Sequence, residues 1–151
     1  ETILRDGYRQ LEQMGGTGLR ANVAAMLARV LLWRGSDEEA GELTRICQRL
    51  ADAEQPELQA KWRSIRAIAV ARRGQIEKAE RWATEAVDHA YRTDQPESRA
   101  EAHVDLSEVL RLSGRRAEAA RQLERAIALY RDKGNEIAES NTRRQLGRIA
   151  H

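Results

Sequence analysis

The side chains able to do chemistry here are three histidines, one cysteine, a glycine cluster and an excess of arginine. His89, His103 and His151 share no His-x-x-His or His-Glu-x-x-His spacing, so a metal ion lacks its ligand set. His103 falls beside an apolar helical stripe, where a partly buried, hydrogen-bonded imidazole is expected rather than a catalytic one. Cys47, the single cysteine, excludes an internal disulfide and every cysteine-rich zinc or iron–sulfur pattern. It occupies a position that elsewhere holds alanine, which reads as a buried, inert thiol, because a reactive one needs exposure and a lowered pKa. A reducing compartment, most simply the cytoplasm, suits it. Gly15-Gly16-Thr17-Gly18 lacks the Gly-Lys-Ser/Thr ending of a nucleotide loop and follows a helical rather than a strand pattern, so it reads as a loop between helices. The expectation is a protein that is not an enzyme and takes no metal or cofactor.

Arginine outnumbers lysine 23 to 3. A planar guanidinium suits carboxylate or phosphate contacts, yet the net charge of +2 is too small to imply nucleic acid. No recognition helix, zinc pattern or aromatic platform accompanies the arginines, and direct nucleic-acid binding is not expected. No apolar stretch approaches the roughly 20 residues of a membrane helix. The most apolar window, 21–33, is interrupted by Arg29.

The elements that must position these residues are set by a repeat. The chain has 151 residues, one domain's worth, with 41% hydrophobic, 33% charged, two prolines and ten glycines, which argues against disorder. Leu32-Trp33-Arg34-Gly35, Ala71-Arg72-Arg73-Gly74 and Arg111-Leu112-Ser113-Gly114 align, with glycines 39 and then 40 residues apart. Five positions after each glycine comes Ala40, Ala79 or Ala119; twelve positions after come Cys47, Ala86 and Ala126. Small residues at matched places let two helices approach closely. Gln55-Pro56-Glu57 recurs as Gln95-Pro96-Glu97, with Gly134-Asn135-Glu136 where a further copy would fall. Proline and glutamate suit a first helical turn, and glycine suits the left-handed residue that closes a helix.

Between these marks the apolar period is helical, as in Leu19, Val23, Leu27, Val30 and Leu31, and no span shows strand alternation. The pattern predicts helices over 2–14, 19–34, 37–53, 57–73, 76–93, 97–113, 116–132 and 136–149. Short connections make neighbours antiparallel. The fold class expected is all-α, a right-handed α–α superhelix of antiparallel helix pairs. It forms a single domain over 1–151: a second helix of a truncated pair (1–18), repeats over 19–54, 55–94 and 95–134, and a closing helix (135–151). With no phenylalanine, the core relies on Leu, Ala, Ile and Val. Trp62 lies in the core stripe, Trp33 is a surface candidate for ligand contact, and Trp82 packs on the convex side or between pairs. Tyr8, Tyr91 and Tyr130 come late in helices, where packing against the next pair is expected.

A helix with apolar residues near its middle and end, a glycine turn, an alanine five residues on and a second helix with a small crossing residue resemble the tetratricopeptide (TPR) family. The resemblance covers about 19–150. The usual period is about 34, against 39 and 40 here. The extra residues are expected in the second helices and their exit turns, which resembles the helical tails of large bacterial signalling ATPases, nucleotide cyclases and transcription regulators. Arg66-Ala67 depart from the pattern, standing where the first copy has Leu27-Ala28 and the family has leucine and glycine.

The resemblance implies a non-catalytic scaffold that binds on the concave surface lined by first helices. Carried onto this chain, that surface includes Asn22, Ala25, Arg29, Leu32 and Trp33. Lys61, Ser64, Ile68, Ala71 and Arg72 come from the second copy, and Glu101, Val104, Glu108, Arg111 and Leu112 from the third. Asn141, Arg144 and Arg148 are added by the closing helix. Candidate ligand contacts are Asn22, Arg29, Trp33, Lys61, Ile68, Arg72, Glu108, Arg111 and Arg144. Arg29, Lys61, Arg72, Arg111, Arg144 and Arg148 form either a basic track for an acidic or carboxylate-ended peptide or a solvated charged face interrupted by Glu101 and Glu108. The implied partner is a protein, a peptide or another domain of a longer parent chain, in which this segment is regulatory; the start at Glu1 rather than Met fits a segment. The alternative is a structural or homodimerisation module packing through the solenoid ends, helices 2–14 and 136–149.

Overall fold

The computed structural model describes residues 1–15, 17–52 and 54–150. Gly16, in the glycine cluster, Ala53, the expected last residue of a helix, and His151 lie outside the described residues. Among those described there are eight helices and no strand: α1 (Thr2–Met14), α2 (Thr17–Trp33), α3 (Asp37–Leu50), α4 (Pro56–Arg72), α5 (Ile76–Ala90), α6 (Pro96–Leu112), α7 (Arg116–Lys133) and α8 (Glu136–Ala150).

Each boundary has a local cause. Gly35, Gly74, Gly114 and Gly134 have φ between 81° and 85°, the left-handed region that costs a side chain but not glycine. At each one the amide of the residue after the glycine reaches back to close the last turn. Ser36 N donates to the Leu31 carbonyl at 2.8 Å, Gln75 N to Val70 at 3.1 Å, Arg115 N to Leu110 at 2.9 Å and Asn135 N to Tyr130 at 2.9 Å. This is the paired closure of a Schellman motif, four times over. Gly134 thus ends α7, and the next helix begins at Glu136, capped by the Asn135 side chain, which accepts from Ala138 N at 3.1 Å. Pro56 and Pro96 stand in the first turns of α4 and α6, where a missing amide hydrogen leaves nothing unpaired. Second helices α3 and α5 stop at Leu50 and Ala90, three residues short of the expected ends, because Ala51 is extended and the chain after Tyr91 turns.

The helices pack as an antiparallel α-solenoid of tetratricopeptide-like form. α2 lies on α3, α4 on α5 and α6 on α7, while each second helix contacts the next first helix. Successive first helices also touch, α2 with α4 and α4 with α6, so they form the inner layer. The matched small residues sit at the crossings. Ala40, Ala79, Ala119, Cys47, Ala86 and Ala126 all have zero exposure. Leu27, Leu31, Ile65, Trp62, Val109 and Leu123 fill the space around them. Arg72, at the end of α4, donates to the Leu32 carbonyl at 3.0 Å and to Asp37 at 2.6 Å, clasping the α2–α3 turn.

Substituting alanine at two glycines should move stability in opposite directions. At Gly114 an added Cβ meets no atom, so Gly114→Ala bears the left-handed conformation alone and is expected to cost about 1–2 kcal/mol. Gly41 lies inside α3 with equally open space, and Gly41→Ala should add roughly 0.5–1 kcal/mol. Urea unfolding followed by circular dichroism reads both.

Candidate functional site

The inner layer is organised by a charge that crosses it. Arg29 lies past the middle of α2, yet its guanidinium reaches over α4 to α6, where it makes two bonds to Asp105 at 2.9 and 2.8 Å and one to Glu101 at 2.8 Å. It can cross because α4 presents the small Ser64 there, whose hydroxyl helps to favour the charged Asp105 carboxylate. The side chains of Arg29 and Asp105 are only 12% and 7% exposed. Burial works against the charge on Arg29, but the attraction of Asp105 and Glu101 outweighs it and holds the guanidinium above the ordinary arginine range. Burial pushes the Asp105 carboxyl up, opposed by Arg29 and Ser64. With two short parallel bonds to one carboxylate, the geometry is that of the ionised pair.

Around this bridge runs a groove of two adjoining clefts, about 750 and 560 Å³. Arg29, Trp33, Val104, Asp105, Gln145 and Arg148 line both. One wall is α2 and the opposite wall is α8, because the solenoid curls far enough to bring its closing helix round to face the first repeat. Of the nine candidate contacts, Arg29, Trp33, Lys61 and Arg144 line the larger cleft. Arg29, Trp33, Ile68, Arg72, Glu108 and Arg111 line the smaller. Asn22 lines neither; it is exposed and its amide donates to the Gly18 carbonyl at 3.1 Å. Ala25, Ser64 and Ala71, placed on the concave surface by the repeat, are buried.

The basic track is largely self-neutralised. Arg29 is held by Asp105 and Glu101, Arg72 by Asp37, and Arg111 by Glu108 at 2.7 Å on the same helix. Lys61, Arg144 and Arg148 make no ion pair among the described residues; Arg144 bonds the Asn141 amide. Sequence reasoning missed Asp105, Met26, Tyr130 and Gln145. Asp105 was legible in principle: counted back from the glycines it matches Met26 and Ile65, and a carboxylate at a core position calls for a buried partner.

The remaining singled-out residues serve packing. Trp62 is 1% exposed, donates to Gln59 at 3.1 Å and meets Trp82 of α5 at 5.5 Å between ring centroids. Arg66, in the place of a leucine, lays its guanidinium over both rings at 4.6 and 4.9 Å and bonds Thr44 and Gln48 of α3. Its stem and stacking fill the space a leucine would have filled. His103 is 2% exposed, with Nδ1 facing the Gln122 carbonyl oxygen at 2.7 Å and Nε2 facing the Tyr91 hydroxyl at 2.8 Å. This is a neutral imidazole that donates from Nδ1 and accepts at Nε2; burial lowers its pKa. Cys47 is fully buried and its thiol is pushed up to about 12 by burial. Among the described residues no group of His, Cys, Asp and Glu could hold a metal ion. No helix among them is long and apolar enough to cross a membrane.

No protein-family model matches the chain, and no curated protein does. Among solved structures, the crystal structure of BtubC (BKLC) from P. vanneervenii is similar, with a TM-score of 0.64 at 16% identity over 99% of this chain and 71% of that one. At that identity the likeness is one of fold, the tetratricopeptide-like solenoid.

Breaking the bridge from one side should be costly. Asp105→Leu leaves a buried guanidinium with only the half-exposed Glu101 and is expected to lose about 3–5 kcal/mol, whereas Arg29→Met with Asp105→Leu should lose much less than the two single changes summed. Denaturant unfolding of the four proteins checks this. The His103 pKa is below its unfolded value of about 6.5, so the unfolded chain binds the extra proton first. Its contribution is present above that pH and is lost as pH falls through the folded value. His103→Gln should therefore flatten part of the decline in stability between pH 7.5 and 5. A thiol reagent should label Cys47 only when denaturant unfolds the chain.

Proposed function

We propose that this chain is a non-catalytic protein–protein interaction scaffold that binds a peptide or partner domain in the groove between α2 and α8. The observation that carries this reading is Trp33, 75% exposed at the junction of both clefts. A large aromatic side chain left open beside a concave surface is the kind of anchor that concentrates binding energy at interfaces. Ile68, Leu32 and Val104 continue the apolar lining, and Lys61, Arg111, Arg144 and Arg148 stand around it. The self-pairing of Arg29 supports a structural role for that residue, with ligand contact falling to its neighbours. The long repeat period supports a further reading, a regulatory segment of a longer bacterial signalling or transcription-regulatory protein. Exposed Ile3 and Ile137, near the two ends, favour the second reading, self-association of solenoid ends.

Peptides selected from a random display library against the protein should bind at micromolar affinity and shift the emission of Trp33, the most exposed of the three tryptophans. Trp33→Ala should weaken them at least about tenfold, or 1.4 kcal/mol, with thermal stability unchanged. Selected peptides that bind Trp33→Ala as tightly as the native chain would remove the groove from the proposal. A dimer in sedimentation equilibrium, lost on Ile3→Glu or Ile137→Glu, would favour self-association instead.

A further inference from the structure

Along α2, Leu19, Met26 and Trp33 recur every seven residues and are 61%, 49% and 75% exposed. Counted back from the helix-ending glycines, Met26 matches Ile65 and Asp105 and Val30 matches Ala69 and Val109, all buried; Leu19 matches the buried Leu58 and the half-buried Ser98, and Trp33 matches the exposed Arg72 and the half-buried Leu112. In α4 and α6 a preceding first helix covers that face, as α2 covers α4 and α4 covers α6. α1 packs on α2 as well, and its Leu4 borders the same cleft as Met26, Val30 and Trp33, which stay open to solvent in this structure. At the positions of Met26 and Val30 the later repeats therefore show what lies on this face when it is occupied: an α-helix running beside a first helix.

The facing wall has the opposite chemistry. Arg144, Gln145 and Arg148 of α8, with Lys61 on the floor, look across the larger cleft at Leu4, Met26, Val30 and Trp33. The acidic side chains lining the groove are already engaged, Asp105 and Glu101 by Arg29 and Glu108 by Arg111. What remains is a slot apolar on one side and cationic on the other. The stripe from residue 19 to 33 measures roughly 21 Å at 1.5 Å per residue, about four helical turns.

We propose that this slot takes an amphipathic, acidic α-helix of a partner protein. It lies along α2 with its apolar side on Met26, Val30 and Trp33 and its carboxylates toward Lys61, Arg144 and Arg148. The proposal rests on the scaffold reading and narrows it to one class of partner. The apolar stripe supplies affinity by burial and the cationic wall fixes which way the helix is rotated.

Three pools of 16-residue synthetic peptides test it, each with a randomised apolar face: one with Glu at the polar positions, one with Lys, and one with the Glu pattern broken by two prolines. The Glu pool should be enriched at least tenfold over the other two on the intact protein. Its best sequence should lose at least tenfold in affinity on Met26→Asp, an exposed site where folding is retained. It should lose as much on the double variant Arg144→Glu, Arg148→Glu, and a Lys version of that sequence should recover binding to the double variant. Equal enrichment of the Lys pool overturns the acidic assignment, and enrichment of the proline pool overturns the helix, while both leave the scaffold reading standing. No enrichment in any pool, with library peptides also failing to bind, overturns both. A dimer of the protein alone that dissociates on Met26→Asp assigns the stripe to a second copy and overturns the proposal.

Discussion

Where each first helix crosses its second, the contact is made by alanine or cysteine, and no side chain larger than that would let the backbones come so near. Ala40, Ala79 and Ala119, followed by Cys47, Ala86 and Ala126, are sealed from solvent at the same places in three successive pairs. Close packing without phenylalanine makes the core depend on these approaches, because small residues contribute by bringing helices together rather than by the area they bury themselves. The left-handed glycines set the turn that aims each second helix back along the first. Pair geometry is thereby repeated, and repeated geometry curls the chain until α8 faces α2.

Charge then shapes what curvature creates. Arg29 and Asp105 are 76 residues apart in sequence, and their bidentate bond joins the first and third first helices over Ser64. Desolvating both groups is costly, and the offset comes from geometry: two short bonds, a hydroxyl and a second carboxylate at Glu101. The same pairing removes cations from the groove that a sequence alone would count as free. Arg72 does likewise when it clasps the α2–α3 turn through Asp37. The residual field of the groove comes from Lys61, Arg144 and Arg148, which collect on one side.

That asymmetry gives the groove a direction. Its α2 wall is apolar where Met26, Val30 and Trp33 line it; its α8 wall is polar and cationic through Arg144, Gln145 and Arg148. A surface built in this way discriminates among partners by rotation as well as by composition, since a helix turned half round would place carboxylates on Met26 and apolar side chains on Arg148.

The sequence by itself determined the helices, their order and their pairing, because glycine, proline and alanine at a 39- or 40-residue spacing act locally, through φ, a missing amide hydrogen and side-chain volume. It also placed Cys47, Trp62 and His103 in the packed layer, since helical periodicity reports which face of one element is covered. Second-helix ends were less legible: Leu50 and Ala90 are set by the exit turns, whose geometry no apolar period records. Only the tertiary structure decided which arginines are free. Arg29 and Arg148 look alike in the chain, and what separates them is a carboxylate 76 residues from Arg29 that curvature brings within 2.9 Å. Pairing across a solenoid depends on the accumulated rotation of several repeats, a quantity spread over every helix crossing and therefore carried by no single stretch of sequence.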